Sequence, residues 1–477
     1  MLESDHAQLP NIHYMKRFFF NFYSGCIDML KIKSIFLKSG AIVLACITAC
    51  STNDNSPSKP NILLILVDDL GYGDLSCQGG TDIYTPNIDR LFNSGISFQN
   101  FYANCTVCSP TRASLMTGCY PDLVGVPGVI RTFEDNNWGY FAPDALTLPD
   151  ILKLAGYTTA LVGKWHLGLE SPNIPNERGF DFFHGFLGDM MDDYWTHLRH
   201  GNNYMRLNTK EIDPQGHATD IFSDWAVDYF NMERDKPFFL YLAYNAPHFP
   251  IQPPPDWLDK VRKREGAIDE TRAKNIAFVE HLDAGIGKVI HALKESGQYE
   301  NTLIIFSSDN GGHLPSGASN GNLRGGKQDM YEGGIKVPTC FVWEGVFEAG
   351  TITDELGVTM DLFPTISSIA GATITHPIDG IGLTTVTGEA RGIDERTIYF
   401  MRREGGFYGG LCYYAALKGN YKLVQNTPFE PMQFFNLQSD PKEEITLNTD
   451  TAVFKDLLEG LSQHIRKSGA VPWQKAK

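Results

Sequence analysis

Four short apolar runs, each ending in residues able to do chemistry, set the tightest constraint on what this chain can become. Ile62–Val67 runs into Asp68-Asp69, and Thr158–Val162 into Lys164 and His166; Phe238–Ala243 leads to Asn245 and His248, and Leu303–Phe306 to Asp309-Asn310. A continuous apolar run of this length reads as a strand covered on both faces, the habit of parallel sheets. Helical patterns lie between the runs. Leu148–Leu154 has Thr147 as N-cap and Gly156 as stop, and Thr271–Leu293 carries its apolar residues at helical spacing. Strand alternating with helix predicts an α/β fold. In such sheets ligands gather outside the carboxyl ends of the strands. Polar residues up to roughly 240 positions apart are therefore expected to meet along one edge.

The texture changes near residue 385. Thr397–Met401, Cys412–Leu417 and Tyr421–Gln425 read as short antiparallel strands, and Val453–Ile465 as a last helix. We expect a catalytic α/β domain over 59–385 and a smaller α+β domain, antiparallel sheet plus helix, over 386–477. With 40 Lys+Arg against 56 Asp+Glu, the net charge is −16. Such a surface repels nucleic acid and anionic membranes, although a small basic pocket within it could still take an anionic substrate.

The N-terminal region reads as an export signal. Lys31, Lys33 and Lys38 precede a short apolar stretch, Ser39–Thr48, too brief for an ordinary membrane span. Small residues then lead to Cys50 and a polar tether, 51–58. This pattern resembles a bacterial lipoprotein signal over 29–50, with Cys50 lipidated and the protein held by that anchor alone in the periplasm or at the cell surface. An ordinary cleaved signal near Ala49 is the alternative. Residues 1–28 read as an over-extended gene start. Of the nine cysteines, Cys105 and Cys108 form one CxxC; a redox pair is open there, whereas a zinc site lacks its second pair.

Asp68-Asp69 and Asp309-Asn310 offer four hard oxygen donors, a set suited to Ca²⁺ or Mg²⁺. Either pair alone reads equally well as a solvated turn. The stretch Cys108-Ser-Pro110-Thr-Arg112 places Pro110 where it can open a helix. Cys108 would then sit at a helix N-terminus, a position that favours negative charge, with Arg112 one turn on.

Cys108-Ser-Pro-Thr-Arg-Ala-Ser-Leu-Met-Thr-Gly118 resembles the signature of the type I, formylglycine-dependent sulfatases of the alkaline phosphatase superfamily. Further segments follow in the family's order: ILVDDLGYGD around Asp68, GKWHLG at 163–168, NAPHFP at 245–250, SSDNGGH at 307–313 and GGKQDMYEGG around Lys327. The resemblance implies an alkaline-phosphatase-like sheet between helices. It also implies that Cys108 becomes formylglycine through a maturation enzyme. Asp68, Asp69, Asp309, Asn310 and residue 108 would hold one divalent cation, Ca²⁺ ahead of Mg²⁺. Arg112 and Lys164 would steady the nucleophile, His166 would act as base, and His248 with Lys327 would bind sulfate and help protonate the leaving alcohol.

For the substrate, a sulfated carbohydrate, four residues stand out. His313 follows the Asp309-Asn310 pair. Asp193 lies in the aromatic and acidic stretch Gly188–Trp195, a candidate sugar wall. Arg402 and Arg403 end a C-terminal strand, where they could meet an anionic sugar or form surface ion pairs. Two rivals stand beside this reading: a phosphomonoester or phosphonate-ester hydrolase of the same superfamily, and a carbohydrate-binding protein that kept the fold.

Overall fold

The computed structural model describes residues 59–475 apart from 134–135, 390–395 and 405–410. The expected leader, tether and Cys50 lie outside the described residues. Among these no helix is long and apolar enough to cross a membrane.

Ten strands make the main sheet: β1 Asn61–Val67, β2 Ile96–Tyr102, β3 Thr158–Lys164, β4 Phe182–Phe186, β5 Met205–Leu207, β6 Lys210–Glu211, β7 Phe238–Ala243, β8 Thr302–Ser308, β9 Thr339–Val342 and β10 Thr351–Val358. Their order is β10-β2-β9-β8-β1-β7-β3-β4-β5-β6. The four predicted strands are β1, β3, β7 and β8, and with β4 they form a parallel centre. Antiparallel and short strands flank that centre. The continuous apolar run of β1 has a direct cause. Leu63, Ile65 and Val67 enter one core, with Phe222, Ile276 and Leu282 from the helices Ala218–Phe230 and Glu270–Glu295. Ile62, Leu64 and Leu66 enter the other, with Leu115, Ile151 and Phe363 from the helices Cys108–Thr117, Leu148–Leu154 and Leu362–Ile369. Period-two alternation between two covered faces leaves no polar position.

Two predicted strands prove longer at their carboxyl ends, and the difference matters. β3 runs on to Lys164, so Lys164 belongs to the sheet and is fully buried. Gly163, just before it, has φ 103°, and a Cβ there would lie 2.0 Å from the Ala243 carbonyl oxygen of the neighbouring strand. Only glycine permits that approach.

The small sheet is antiparallel: β11 Ile398–Glu404, β12 Leu411–Lys418, β13 Tyr421–Gln425 and β14 Gln433–Asn436. The strand β14 is absent from the sequence reading; four residues, QFFN, are too few to show a period. One face packs on the main sheet through Phe400, Val424 and Phe435 against Tyr102, Met330 and Val358. The other is covered by the helix Ala452–Ser468 through Leu457 and Leu461. At the junction Lys422 is buried, donating to Glu332 at 2.8 Å and paired with Glu443 at 2.9 Å.

The helix Ala218–Phe230 has an unusual cap. His217 Nδ1 accepts from the Thr219 N–H at 3.2 Å while its Nε2 meets the Gln252 carbonyl oxygen at 3.0 Å. Burial, with His281 nearby, pushes the His217 pKa from 6.5 down to about 4. The cap works only with neutral imidazole. Its contribution is therefore whole above pH 6.5 and is lost as pH falls from there toward 4, because the unfolded chain takes up the proton first. The melting temperature should drop over that window. His217→Asn, which keeps an acceptor at the cap but does not titrate, should flatten the drop; an unchanged pH profile would rule the device out.

Candidate active site

The helix Cys108–Thr117 begins at Cys108, with Val107 as its cap residue and Pro110 in its first turn. One turn on, the buried Arg112 points back to the sheet edge. Its Nε and Nη2 donate to Asp309 Oδ2 at 3.0 and 2.7 Å, and its Nη1 to the Lys164 carbonyl at 3.2 Å and the Tyr241 hydroxyl at 3.3 Å. Lys164 Nζ donates to Asp68 Oδ2 at 2.5 Å, and Lys327 Nζ to Asp69 Oδ2 at 2.7 Å. Asn310 Nδ2 donates to Asp69 Oδ1 at 2.8 Å, joining residues 241 positions apart. His248 Nε2 lies 3.7 Å from Asp69 Oδ2. The parallel register explains the meeting: Val67 lies beside Ser308, and Leu66 beside Ala243, so the four strands end together.

Three carboxylates and three permanent cations thus share one buried pocket. Burial and the neighbouring Asp68 push the Asp309 carboxyl up to about 7. For Asp68 burial works the same way, but Lys164, His248 and Arg112 outweigh it and hold that carboxyl well below its usual range. Two hard oxygens, Asp68 Oδ1 and Asn310 Oδ1, are buried with no hydrogen-bond partner. Ligand atoms of Asp68, Cys108 and Asp309 lie within 4.8 Å of one another. A buried oxygen without a donor costs about 1–3 kcal/mol. A hard divalent cation would relieve both, so the residues fit Ca²⁺ or Mg²⁺. Asp69 itself has φ 68°, in the left-handed region, a strain typical of sites where geometry is imposed.

The helix N-terminus was expected to favour an anion at Cys108. Burial wins instead and pushes the thiol up to about 11, with Asp68 and Asp309 adding to the shift and Lys164 opposing it. The residue is a neutral thiol at neutral pH, a poor nucleophile as it stands. Cys105, also buried, is not bonded to it; both are free.

His166, like Asp69, has positive φ, at 62°. Its Nε2 meets the Ile130 carbonyl oxygen at 2.8 Å. A carbonyl only accepts, so Nε2 carries the hydrogen and Nδ1 keeps a bare lone pair, buried and without a partner. Burial, Lys164 and Arg112 hold the ring neutral. A neutral ring with a bare lone pair can accept a hydrogen bond or a proton.

A cleft of about 580 Å³ opens over these groups, lined at its floor by Cys108, His166, His248 and Lys327. Of the four substrate candidates it brings in His313 and Arg402. Arg402 pairs with Glu404 at 2.7 Å. Arg403 goes elsewhere: its N–H donates to the Pro127 carbonyl, and its guanidinium faces Ser468. Asp193 also does not line the cleft. Its carboxylate accepts from the N–H groups of Trp195 and Thr196 and from Gln252, an Asx turn that uses it locally. From the same stretch Asp189 and Met190 do line the cleft. The sequence reading misses Arg131, Phe133, Asn136, Arg199, His200 and Gln328. Most lie in irregular segments without periodicity, and Arg199 in a two-residue strand, Leu198–Arg199, paired with Asn202–Asn203 across the turn-forming His200-Gly201.

The chain matches the sulfatase family over residues 60–372, and the C-terminal region of N-sulphoglucosamine sulphohydrolase over 326–470. The chain belongs to the sulfatase family. N-acetylgalactosamine-6-sulfatase of Mus musculus is 30% identical to this sulfatase over 473 residues, 86% of each chain. Among solved structures, Ps i-CgsB in complex with k-i-k-neocarrahexaose superposes with a TM-score of 0.80 at 33% identity, covering 88% of this chain and 96% of that one. The PsFucS1 sulfatase from Pseudoalteromonas sp. superposes with a TM-score of 0.72 at 25% identity, covering 87% and 92%. This sulfatase is accordingly a sulfuric ester hydrolase, built on the mostly parallel sheet and small antiparallel sheet described above.

Proposed function

We propose that the enzyme hydrolyses sulfate monoesters on carbohydrates released from sulfated polysaccharides such as carrageenan, ulvan, fucoidan or glycosaminoglycans. It would use formylglycine made from Cys108 by a formylglycine-generating enzyme, together with one divalent cation, Ca²⁺ ahead of Mg²⁺. The observation that carries the reading is the position of Cys108: first residue of a helix, with ligand oxygens of Asp68 and Asp309 within 4.8 Å, in a cleft lined by His166, His248 and Lys327. The carbohydrate class is supported by relatives named for N-acetylgalactosamine 6-sulfate and by the neocarrahexaose held by Ps i-CgsB. The export signal ending at Cys50 supports a lipid-anchored enzyme in the periplasm or at the cell surface, where such chains arrive.

The chain's own groups divide the work. Hydrated formylglycine at position 108 would supply one hydroxyl as nucleophile and a second to expel the sulfate, and a cation held by Asp68, Asp69, Asp309 and Asn310 would supply positive charge to the ester. Lys327 and His248 face the cleft floor and can meet those oxygens. Charge builds on the leaving oxygen as its bond to sulfur lengthens, and fixed cations in a water-poor pocket stabilise it more than they stabilise the ground state. Arg112 and Lys164 pair with Asp309 and Asp68 and hold them in place. His166 Nδ1, its tautomer set by Ile130, accepts the proton.

The test pairs a mass measurement with a substrate panel. Protein produced with a formylglycine-generating enzyme should carry an aldehyde in the Cys108 peptide. It should also release sulfate from sulfated oligosaccharides at least about 100-fold faster than phosphate from matched phosphate esters. A thiol at 108 beside a fully converted control sulfatase, or a preference for phosphate, would overturn the reading.

A further inference from the structure

We infer that Phe133, backed by His200, is a stacking platform for the sugar next to the sulfate-bearing one, so that the enzyme prefers chains to single sugars; this rests on the carbohydrate reading above. Two aromatic rings that line the cleft are exposed: Phe133 at 50% and Phe249 at 36%. They stand in different places. Phe249 packs on His248 at 4.6 Å, with Lys327 Nζ 5.7 Å from its centre. It therefore stands beside two of the groups assigned to the sulfate. Among the described residues, the ring contact shown for Phe133 is with His200 and not with a group assigned to the reaction. Its ring lies on His200, centroids 4.5 Å apart and planes inclined by 34°.

That backing is built rather than incidental. His200 takes φ 51°, and its N–H donates to Asp192 Oδ2 at 2.6 Å. The preceding Arg199 is locked by Asp189 at 2.9 and 3.0 Å and by Asp192 at 2.6 Å. All three guanidinium nitrogens donate within the segment, which ties His200 in place beside the exposed Phe133. The same cleft is lined by Thr132, Asn136 and Gln328, polar groups suited to hydroxyls. An apolar face ringed by hydrogen-bonding groups, continuous with the catalytic floor, matches one sugar ring: C–H faces to stack, hydroxyls at the edge. The aromatic wall expected at Gly188–Trp195 is not this one. Trp195 turns edge-on to His217, centroids 5.1 Å apart, and does not line the cleft.

The experiment compares kcat/KM on a sulfated hexasaccharide, the best-cleaved member of a panel of neocarrahexaose and chondroitin fragments, with kcat/KM on 4-nitrophenyl sulfate. Phe133→Ala should lower the ratio of the two about five- to tenfold, the effect carried by KM for the hexasaccharide. Phe133→Trp should keep or raise the ratio. Phe249→Ala should depress both substrates together. An unchanged ratio in Phe133→Ala overturns the inference. A wild-type enzyme that cleaves 4-nitrophenyl sulfate but no panel member overturns the carbohydrate proposal instead, so the two failures are told apart.

Discussion

Replacing Cys108 by alanine should leave no sustained turnover, a fall in kcat of about 10⁴-fold or more. The substitution removes a thiol that is already buried and neutral, so the fold and the carboxylate cluster should survive and the loss should be chemical. The serine variant sharpens the test. Made in a host that does not convert serine, Cys108→Ser keeps one hydroxyl at the same helix start. One hydroxyl can attack sulfur, form a serine sulfate and release the alcohol, but it has no second oxygen with which to expel the sulfate. A burst of at most one equivalent of alcohol is expected, with a mass increase on the peptide containing residue 108. Multiple turnover by the alanine variant would sink the nucleophile assignment, whatever the substrate.

The second large effect falls on Arg112. Its guanidinium is fully buried, forks onto Asp309 Oδ2 and lies 3.7 Å from Asp68. Arg112→Ala strands Asp309 in a pocket that already resists its charge. Removing one partner of such a pair costs about 3–5 kcal/mol, so the melting temperature should fall by several degrees. Activity should fall about 10²- to 10³-fold as the carboxylates lose their alignment. Lysine brings the charge without the fork and should recover only part of either quantity. A variant as stable as the wild type would mean that Asp309 takes up a proton at little cost, and the account of Arg112 as its essential counter-ion would fail.

How far the site was legible depends on which part is considered. The strand ends were readable because a sheet covered on both faces demands unbroken apolar runs, and such runs stop where the sheet stops. That rule alone marked Asp68, Asp69, Lys164, His166, His248, Asp309 and Asn310, and the four strands do end side by side. Pro110 marked the start of the helix that Cys108 opens. The flanking strands β2, β9 and β10 escaped, since mixed pairing and partial exposure blur their pattern. Arg402 and Arg403 show the limit most clearly. Neighbours in sequence, they point to opposite sides of β11, one into the cleft and one toward the helix Ala452–Ser468. Sequence could name the pair but not the face, because pleat direction depends on which side the strand packs.

The sequence by itself therefore determined the parallel centre of the sheet and the edge where the polar strand ends gather; each is a local consequence of burial period and strand ending. Only the tertiary structure decided the rest. It raised the Cys108 thiol pKa by burying the residue beside Asp68 and Asp309, against the opposing pull of Lys164 and Lys327. It set the His166 tautomer through the Ile130 carbonyl, and it assembled the cleft wall from Phe133, Arg199 and His200. These depend on side chains brought together from distant loops, where the energy of a contact is set by the neighbours it meets and leaves no period in the chain.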